Sequence, residues 1–420
     1  MNDLQKDINP DPKIETLAEL YIWGLPLVVM HRTRALHCSR GGPGVLRHRL
    51  DLSTARSRTV VGPNNDTLYS TGWYDLNCGD LQLIIPPMDH PDRYWSVMVL
   101  DAYTHVTYVS RRLYGVQGKT VRITTNPKNE ADHTKPSETI GVGTPTVWIL
   151  VRTLVDGPED LDRARTVQKG FQVTVSPDHP FEATAQPPGK PNEVYLAGAL
   201  FFDELRAALA MDPPAVWHPQ LTPEQQLLLS KEIDPDLLAA GVALGANRIN
   251  ALGFGADLFK NGWGTRSKGT QFGEDVLARA ACAQFTLAGH HRQENSSYSA
   301  QCDNRGEKLD GSRPLTLHFP PGEEPPAKAF WSLTIYGPDM FFYDNPLNRY
   351  SIGDRTPGLK RTKEGLTLTI GGTPPGDTSN WLPAPPGPYM LGLRIYEGRS
   401  DVVKATWFPP PLMRSGDGLY

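Results

Sequence analysis

Along the chain the spacing of apolar positions changes three times, and each change marks a change of architecture. Between 14 and 36, apolar residues at 17, 20, 21, 25, 28 and 29 recur three and four apart. That spacing predicts an amphipathic helix packed on a neighbouring sheet, broken or kinked near Gly24-Leu25-Pro26. From 59 to 171 the pattern becomes alternating or β-branched, predicting strands at Gly72–Leu76, Leu81–Pro86, Tyr94–Asp101, Thr107–Ser110, Thr120–Thr124 and Thr146–Thr153. Consecutive strands with no helix between them argue for an antiparallel sandwich or jelly roll rather than a doubly wound parallel sheet. One short helix is expected over 156–170 and a proline-rich linker over 176–192.

Helical spacing then returns over 193–209, 246–260 and 273–287, with Thr222-Pro223 and Asp234-Pro235 as capped starts. This region is expected to form a separate bundle or an arm for oligomer contacts. Strands resume at Leu315–Phe319, Ala329–Tyr336, Leu366–Ile370, Tyr389–Tyr396 and Ala405–Phe408. The expected fold is therefore mainly β with a helical insertion: two jelly-roll-like antiparallel β-sandwiches, an N-terminal helix and a central helical region. The divisions fall at 1–58 (helix and crossover), 59–175 (first sandwich), 176–295 (linker and helices) and 296–420 (second sandwich).

Composition sharpens this picture. With 39 glycines and 39 prolines in 420 residues, turns are abundant, as many short strands require. A net charge of −4 leaves no basic footprint for nucleic acid or for an anionic membrane. The first apolar run, Leu17 to Met30, is interrupted by Glu19, Gly24 and Pro26, so neither a signal peptide nor a membrane span is expected and a cytoplasmic setting is the default. Cysteines 38, 78, 282 and 302 have no metal-binding spacing. No nucleophile elbow, phosphate loop or dinucleotide fingerprint occurs, so no cofactor and no bound metal are expected.

Two loops concentrate chemistry. In Asn345–Leu359, Arg349 and Arg355 either tie the loop to its own carbonyls and to Asp354, or one of them enters a cleft to bind a carboxylate, a phosphate or hydroxyls. In Gly62–Ser70, Asn65 and Asp66 either build Asx turns or supply a donor and an acceptor, with Tyr69 and Trp73 as a flat apolar wall. The ends of the Tyr94–Asp101 strand gather further acids and histidines. Asp89, Asp92 and Asp101 offer a weak calcium reading. His290-His291 reads as a helix cap, and Trp381 as a plug over the second sandwich or an exposed aromatic.

Together, Tyr21–Leu27, Pro63–Ser70, Ala329–Thr334, Asn345–Gly358 and Asn380–Pro383 resemble a microbial pairing of two domains of unknown function, families 1254 and 1214, over nearly the whole chain. The resemblance implies tandem jelly-roll-type sandwiches with an inserted helical region, and no general reaction. It marks His48, Asn65, Asp66, Tyr69, Trp73, Arg93, Tyr94 and Asp101 in the first domain as motif positions, and Trp331, Tyr336, Asn348, Arg349, Asp354, Arg355, Asn380 and Trp381 in the second. The chain departs from the family pattern at Asn295–Asp303 and lacks the leader that many relatives carry, which implies a cytosolic member recruited to a biosynthetic pathway.

The expected function is that of a cofactor-independent enzyme acting on a small polar or polyketide-like metabolite by acid/base chemistry in a cleft between the sandwiches. Cyclisation, elimination, isomerisation and hydrolysis all fit. His48, Asp66, Tyr69, Arg349 and Arg355 are the expected catalytic set, and Asn65, Trp73, Arg93, Tyr94, Asp101, Tyr336, Asn348 and Trp381 the substrate-binding set. The expected partner is a small-molecule substrate, with neither nucleic acid nor membrane, and a homo-oligomer is left open. The alternative is a carbohydrate-binding or structural assembly protein, since jelly rolls serve both roles.

Overall fold

The first helix, Pro12–Ser39, is capped by Asp11, whose side chain accepts from the Lys13 amide. It runs through Pro26 without interruption, and nearly every side chain from Leu17 to Arg34 is buried. The expected break is therefore absent, and the helix is wrapped rather than amphipathic. Helices Gly198–Met211, Pro235–Leu252 and Val276–Phe285 surround it, and only its C-terminal part, through Met30 and Cys38, joins the aromatic cluster on the first sandwich. Close approach depends on glycine: a Cβ at Gly241 would sit 2.5 Å from Leu17 Cβ, and one at Gly245 would sit 2.7 Å from the Tyr21 ring. The computed structural model describes residues 11–58, 61–126, 128, 132, 135–174, 198–253 and 255–414, so the expected linker at 176–192 lies outside the described residues.

The first sandwich pairs a five-stranded antiparallel sheet, in the order 47–49, 67–75, 146–154, 95–101, 106–110, with a four-stranded sheet in the order 139–142, 119–125, 81–85, 172–174. Val97, Val99, Val147, Ile149, Leu83 and Val121 fill the space between them. The second sandwich pairs a six-stranded sheet, ordered 258–260, 263–265, 295–300, 390–398, 327–336, 351–353, with one ordered 381–383, 366–371, 315–319, 413–414. Trp331, Leu333, Ile335, Leu393 and Ile395 face Leu317, Leu368 and Ile370 in its core. The fold is thus mainly β, two sandwiches with an N-terminal helix and a central helical region.

Two expectations need correction. The helix expected over 246–260 stops at Leu252, and Leu258–Lys260 pairs with Trp263–Thr265 as a hairpin. Asn261 and Gly262 hold φ of 55° and 78°, the two-residue turn that an Asn-Gly pair makes readily, and this local chemistry overrides the apolar spacing. Ala405–Phe408 is no strand, because the chain turns at Ala405 (φ 57°) after the short helix Ser400–Val403, and Trp407 and Phe408 pack edge-on against Tyr298.

The larger sheet of each sandwich has a second face that does not serve its own core. On Thr146–Leu154 every residue is buried, so both faces are covered and the strand reads as one apolar run. The outer face of this sheet carries rows set by register: Tyr69, Arg152, Ser96 and Ser110, then Thr71, Leu150, Met98 and Tyr108. On the six-stranded sheet the outer face carries Phe330, Ser332, Thr334 and Tyr336 beside Tyr396 and Arg394. These two faces meet.

Candidate functional site

The meeting point is anchored by aromatic packing. Phe330 stacks on Tyr396 at 4.1 Å, and Tyr94 of the first sandwich lies edge-on to both rings. Polar groups surround this apolar knot. Asp66, immediately before the Thr67–Asp75 strand, accepts from Ser332 Oγ at 2.7 Å and from Ser351 Oγ at 3.5 Å, both from the second sandwich. Ser351 also donates to Asn65 Oδ1 at 3.1 Å. The Asn64 side chain accepts from the Asp66 amide at 2.6 Å and donates to Tyr396 Oη. The Asx turn of this loop is therefore built by Asn64, while Asn65 and Asp66 face the serines of the second sandwich.

Tyr336 Oη donates to the Pro63 carbonyl at 2.8 Å, and Arg394 donates to Thr334 Oγ1 at 3.0 Å and to the Gly62 carbonyl at 3.2 Å. Arg152 rises from the facing strand with its guanidinium 5.2 Å above the Tyr69 ring. Opposite, Tyr108 Oη lies 3.2 Å from His290 Nδ1. Asp66, Tyr69, Arg394 and His290 keep part of their surface accessible even though both sandwiches close around them, so they line a recess rather than a packed interior.

Electrostatics follow from that enclosure. Burial pushes the Asp66 carboxyl above its usual range, and the Ser332 hydrogen bond, Arg394 and the Ser351 hydrogen bond pull it only part of the way back. Burial also drives His290 well below the usual imidazole range, reinforced by Arg152 and Arg394, which leaves a neutral ring. Tyr396 is held as a phenol by burial and by the nearby Asp66. Behind Tyr94, Glu294 is fully buried yet accepts from Tyr94 Oη at 3.1 Å, Ser110 Oγ at 3.0 Å and Arg112 Nε at 3.2 Å. Burial lifts it to about 7.

Of the residues singled out in the sequence, Asn65, Asp66, Tyr69, Tyr94 and Tyr336 come together at this border. The others lie elsewhere. His48 hydrogen-bonds Ser70, which points to the sheet face opposite Tyr69. Trp73 stacks on Trp148 at 5.0 Å and donates to His37 Nδ1 at 3.1 Å. Arg93 is locked between Asp89 and Asp160, and Asp89 also takes Arg163, so these oxygens, clustered with His90, already face guanidinium groups. Asp101 is paired with His218 at the far end of the sheet, eight residues along from Asp66 or roughly 27 Å at ~3.4 Å per residue.

Arg349 donates to the carbonyls of Thr378 and Trp381, tying the loop to a neighbouring segment rather than to its own carbonyls or Asp354. Asn348 holds φ 49° and accepts from Tyr350 Oη, while Trp381 is buried and donates to the Gly371 carbonyl. Arg355 reaches across to Asp156 and so joins the sandwiches at their border without touching Asp66.

Arg152, Arg394, Tyr396, Tyr108 and the two serines were not singled out, and His290, read as a helix cap, lies beyond the Thr286 cap of its helix. Arg152 and Arg394 carried a signal: each is the one basic residue inside a largely apolar strand, TVWILVRTL and MLGLRIYEG. Two shallow pockets elsewhere share no residue with the recess. One of about 120 Å³ is lined by Asp257, Arg266, Phe272 and Asp275, and the other by His37, Arg47 and Trp73. Among the described residues no helix is long and apolar enough to cross a membrane.

No curated protein matches the chain. Among solved structures, the VPA0106 protein from Vibrio parahaemolyticus is 22% identical, with 96% of this chain and 100% of that one covered and a TM-score of 0.67, and so shares the fold. An uncharacterised protein from Burkholderia cenocepacia is 12% identical over 96% of this chain and 94% of its own, with a TM-score of 0.45. Residues 43–175 match the protein of unknown function family DUF1254, and residues 294–400 match DUF1214. The Asp66 corner falls within the first match and the Arg394 corner within the second, so the recess is built where the two meet and the chain belongs to the two-domain family that pairs DUF1254 with DUF1214.

Proposed function

We propose that the recess between the sandwiches performs acid/base chemistry on a small polar or polyketide-like metabolite, without a redox cofactor, as a step of secondary-metabolite biosynthesis in the cytoplasm. The observation that carries this reading is the Asp66 carboxyl. It is enclosed, raised in pKa, held by neutral hydroxyls rather than by a direct ion pair, and still partly accessible. A carboxyl whose proton affinity is raised by enclosure is a stronger base than an exposed one, and so is suited to take and return a proton.

In this reading Asp66 is the proton acceptor. Tyr396 and Tyr69 present phenols, while Arg394 and Arg152 stabilise the oxyanion that forms as the proton leaves carbon or oxygen. The Phe330–Tyr396–Tyr94 knot excludes water from one side. Enolisation-driven cyclisation, elimination and isomerisation share this first step, and hydrolysis would use the same base on a water. The four cysteines are all free, which fits a setting that keeps thiols reduced.

The test is proton exchange in heavy water. Wild type is incubated with a panel of β-dicarbonyl and β-hydroxyacyl compounds, and deuterium uptake and product mass are followed by mass spectrometry. Exchange or conversion of at least one compound is expected, with loss of at least a hundredfold in Asp66→Asn at unchanged circular dichroism. Undiminished turnover in Asp66→Asn would remove the reading.

A further inference from the structure

We infer that the recess takes a small molecule bearing a carboxylate, and that this carboxylate sits on the guanidinium of Arg152. The inference rests on the reading above that a metabolite occupies this border, and it adds the chemical class of that metabolite.

The starting observation is a contrast among buried arginines. Arg93 is fully buried and has two carboxylates, Asp89 and Asp160. Arg292 is 4% exposed and donates to the carbonyls of Arg266, Val402 and Val403 and to the hydroxyls of Thr265 and Tyr298. Arg152 is 5% exposed, yet among the described residues it reaches only Tyr69 Oη at 3.4 Å and Met98 Sδ at 2.7 Å. A phenol at the limit of hydrogen-bonding range and a thioether, itself a weak acceptor, leave most of five N–H donors without a good oxygen. No carboxylate lies within ion-pair distance of it among the described residues.

A positive charge kept out of water without a counter-ion is costly unless something else brings the counter-charge. The surroundings say what that is. Arg394 adds a second guanidinium, engaged by a threonine hydroxyl and one carbonyl rather than by an acid. His290 is held neutral by burial, and the carboxyls nearby are already engaged, Asp66 by two serines and Glu294 by Tyr94, Ser110 and Arg112. Neither guanidinium is ion-paired with a carboxylate among the described residues. Aromatic rings surround the two guanidinium groups: Tyr69 lies under Arg152, Tyr108 stacks on His290, and Tyr396 stacks on Phe330. A carboxylate matches the guanidinium fork with two parallel hydrogen bonds and is itself planar, so it fits between such rings.

Benzoate, acetate and inorganic phosphate are titrated at matched ionic strength into wild type, Arg152→Met, Arg152→Lys and Asp66→Asn, with calorimetry and melting temperature as readouts. Benzoate is expected to bind wild type at one site and to raise its melting temperature, acetate more weakly. Arg152→Met is expected to lose at least tenfold in benzoate affinity while melting no lower than the parent, since it removes an uncompensated buried charge. Arg152→Lys keeps the charge and loses the fork, so several-fold weakening is expected there, and this variant decides the matter should Arg152→Met fail to fold. Asp66→Asn should bind benzoate at least as tightly as wild type. Absence of carboxylate binding in wild type, unchanged benzoate affinity in the folded Arg152 variants, or stabilisation by phosphate alone overturns the inference. Turnover of a metabolite by a wild type that binds no carboxylate would sink this inference and leave the acid/base reading standing, and benzoate bound without any turnover would do the reverse.

Discussion

The first sandwich carries a buried acid at each end of its five-stranded sheet, and the two are provisioned in opposite ways. At one end Asp101 accepts from the backbone amides of Tyr103 and His105, both at 2.9 Å, and lies 2.7 Å from His218 Nε2. His218 Nδ1 in turn accepts from the Ala215 amide at 3.0 Å, which fixes the proton on the ring nitrogen facing the acid. Burial would raise Asp101, but His218 and the neighbouring donors prevail and hold it below its ordinary value. At the other end Asp66 has serine hydroxyls and a distant guanidinium, and burial prevails. A fully partnered acid clamps a segment of chain, whereas an under-partnered one retains capacity to bind or react.

Removing the clamp should have the largest effect. Asp101→Ala leaves His218 and two amides without their acceptor in a site closed to water, and a loss of about 4 kcal/mol is expected, read as a lowered denaturation midpoint. Asp66→Asn in the same assay should stay within about 1 kcal/mol of the parent, because its partners are hydroxyls that an amide also satisfies. Equal losses in the two variants would erase the distinction between the ends.

Next comes pH. Glu294, raised by burial to about 7 against an ordinary 4.5, binds its proton more tightly in the native state than in the unfolded chain. Its contribution is complete below about 4.5 and is lost as pH rises through about 7, a change of roughly 3 kcal/mol. Glu397 and Asp354, also raised by burial, slope the same way, so the measurement is a difference. Subtracting the stability profile of Glu294→Gln from that of wild type between pH 5 and 8 should expose a falling component. A flat difference would place Glu294 in a wetter site than its burial indicates.

The smallest effect is expected at the rim. The Arg355–Asp156 pair retains 20% and 39% side-chain exposure, so Arg355→Ala should cost under about 0.5 kcal/mol, and less at high salt. A loss above 2 kcal/mol would mean that this pair, rather than the aromatic knot and its hydrogen bonds, holds the sandwiches together.

Much of the fold was legible because local rules and tertiary packing agree. Strands such as Leu81–Ile85 and Leu315–Phe319 alternate as half-buried strands do, and Thr222-Pro223 forms a complete capping box with Gln225. The hairpin at 258–265 was missed because its Asn-Gly turn sits among residues that also suit a helix. Half of the recess was legible for a different reason. Asn64, Asn65 and Asp66 stand out in a loop, where polar residues need an explanation, and Tyr69 follows two residues into the strand. Arg152 and Arg394 sit inside strands that earn their burial from apolar neighbours, and only the pairing order shows that these strands offer a second face to one another. The arginines that did stand out, Arg349 and Arg355, did so by loop composition, which does not distinguish a guanidinium tying a loop to the rest of the fold from one facing a ligand.

The hydrogen bond from Ser332 to Asp66 spans 266 positions of chain. During synthesis the ribosome therefore delivers the acid long before its partners, and Arg394 emerges later still, on the Met390–Gly398 strand. Until that strand docks, the Asp66 carboxyl lacks both Arg394 and the enclosure that raises its pKa, so its altered acidity belongs to the joined sandwiches and not to the first one alone.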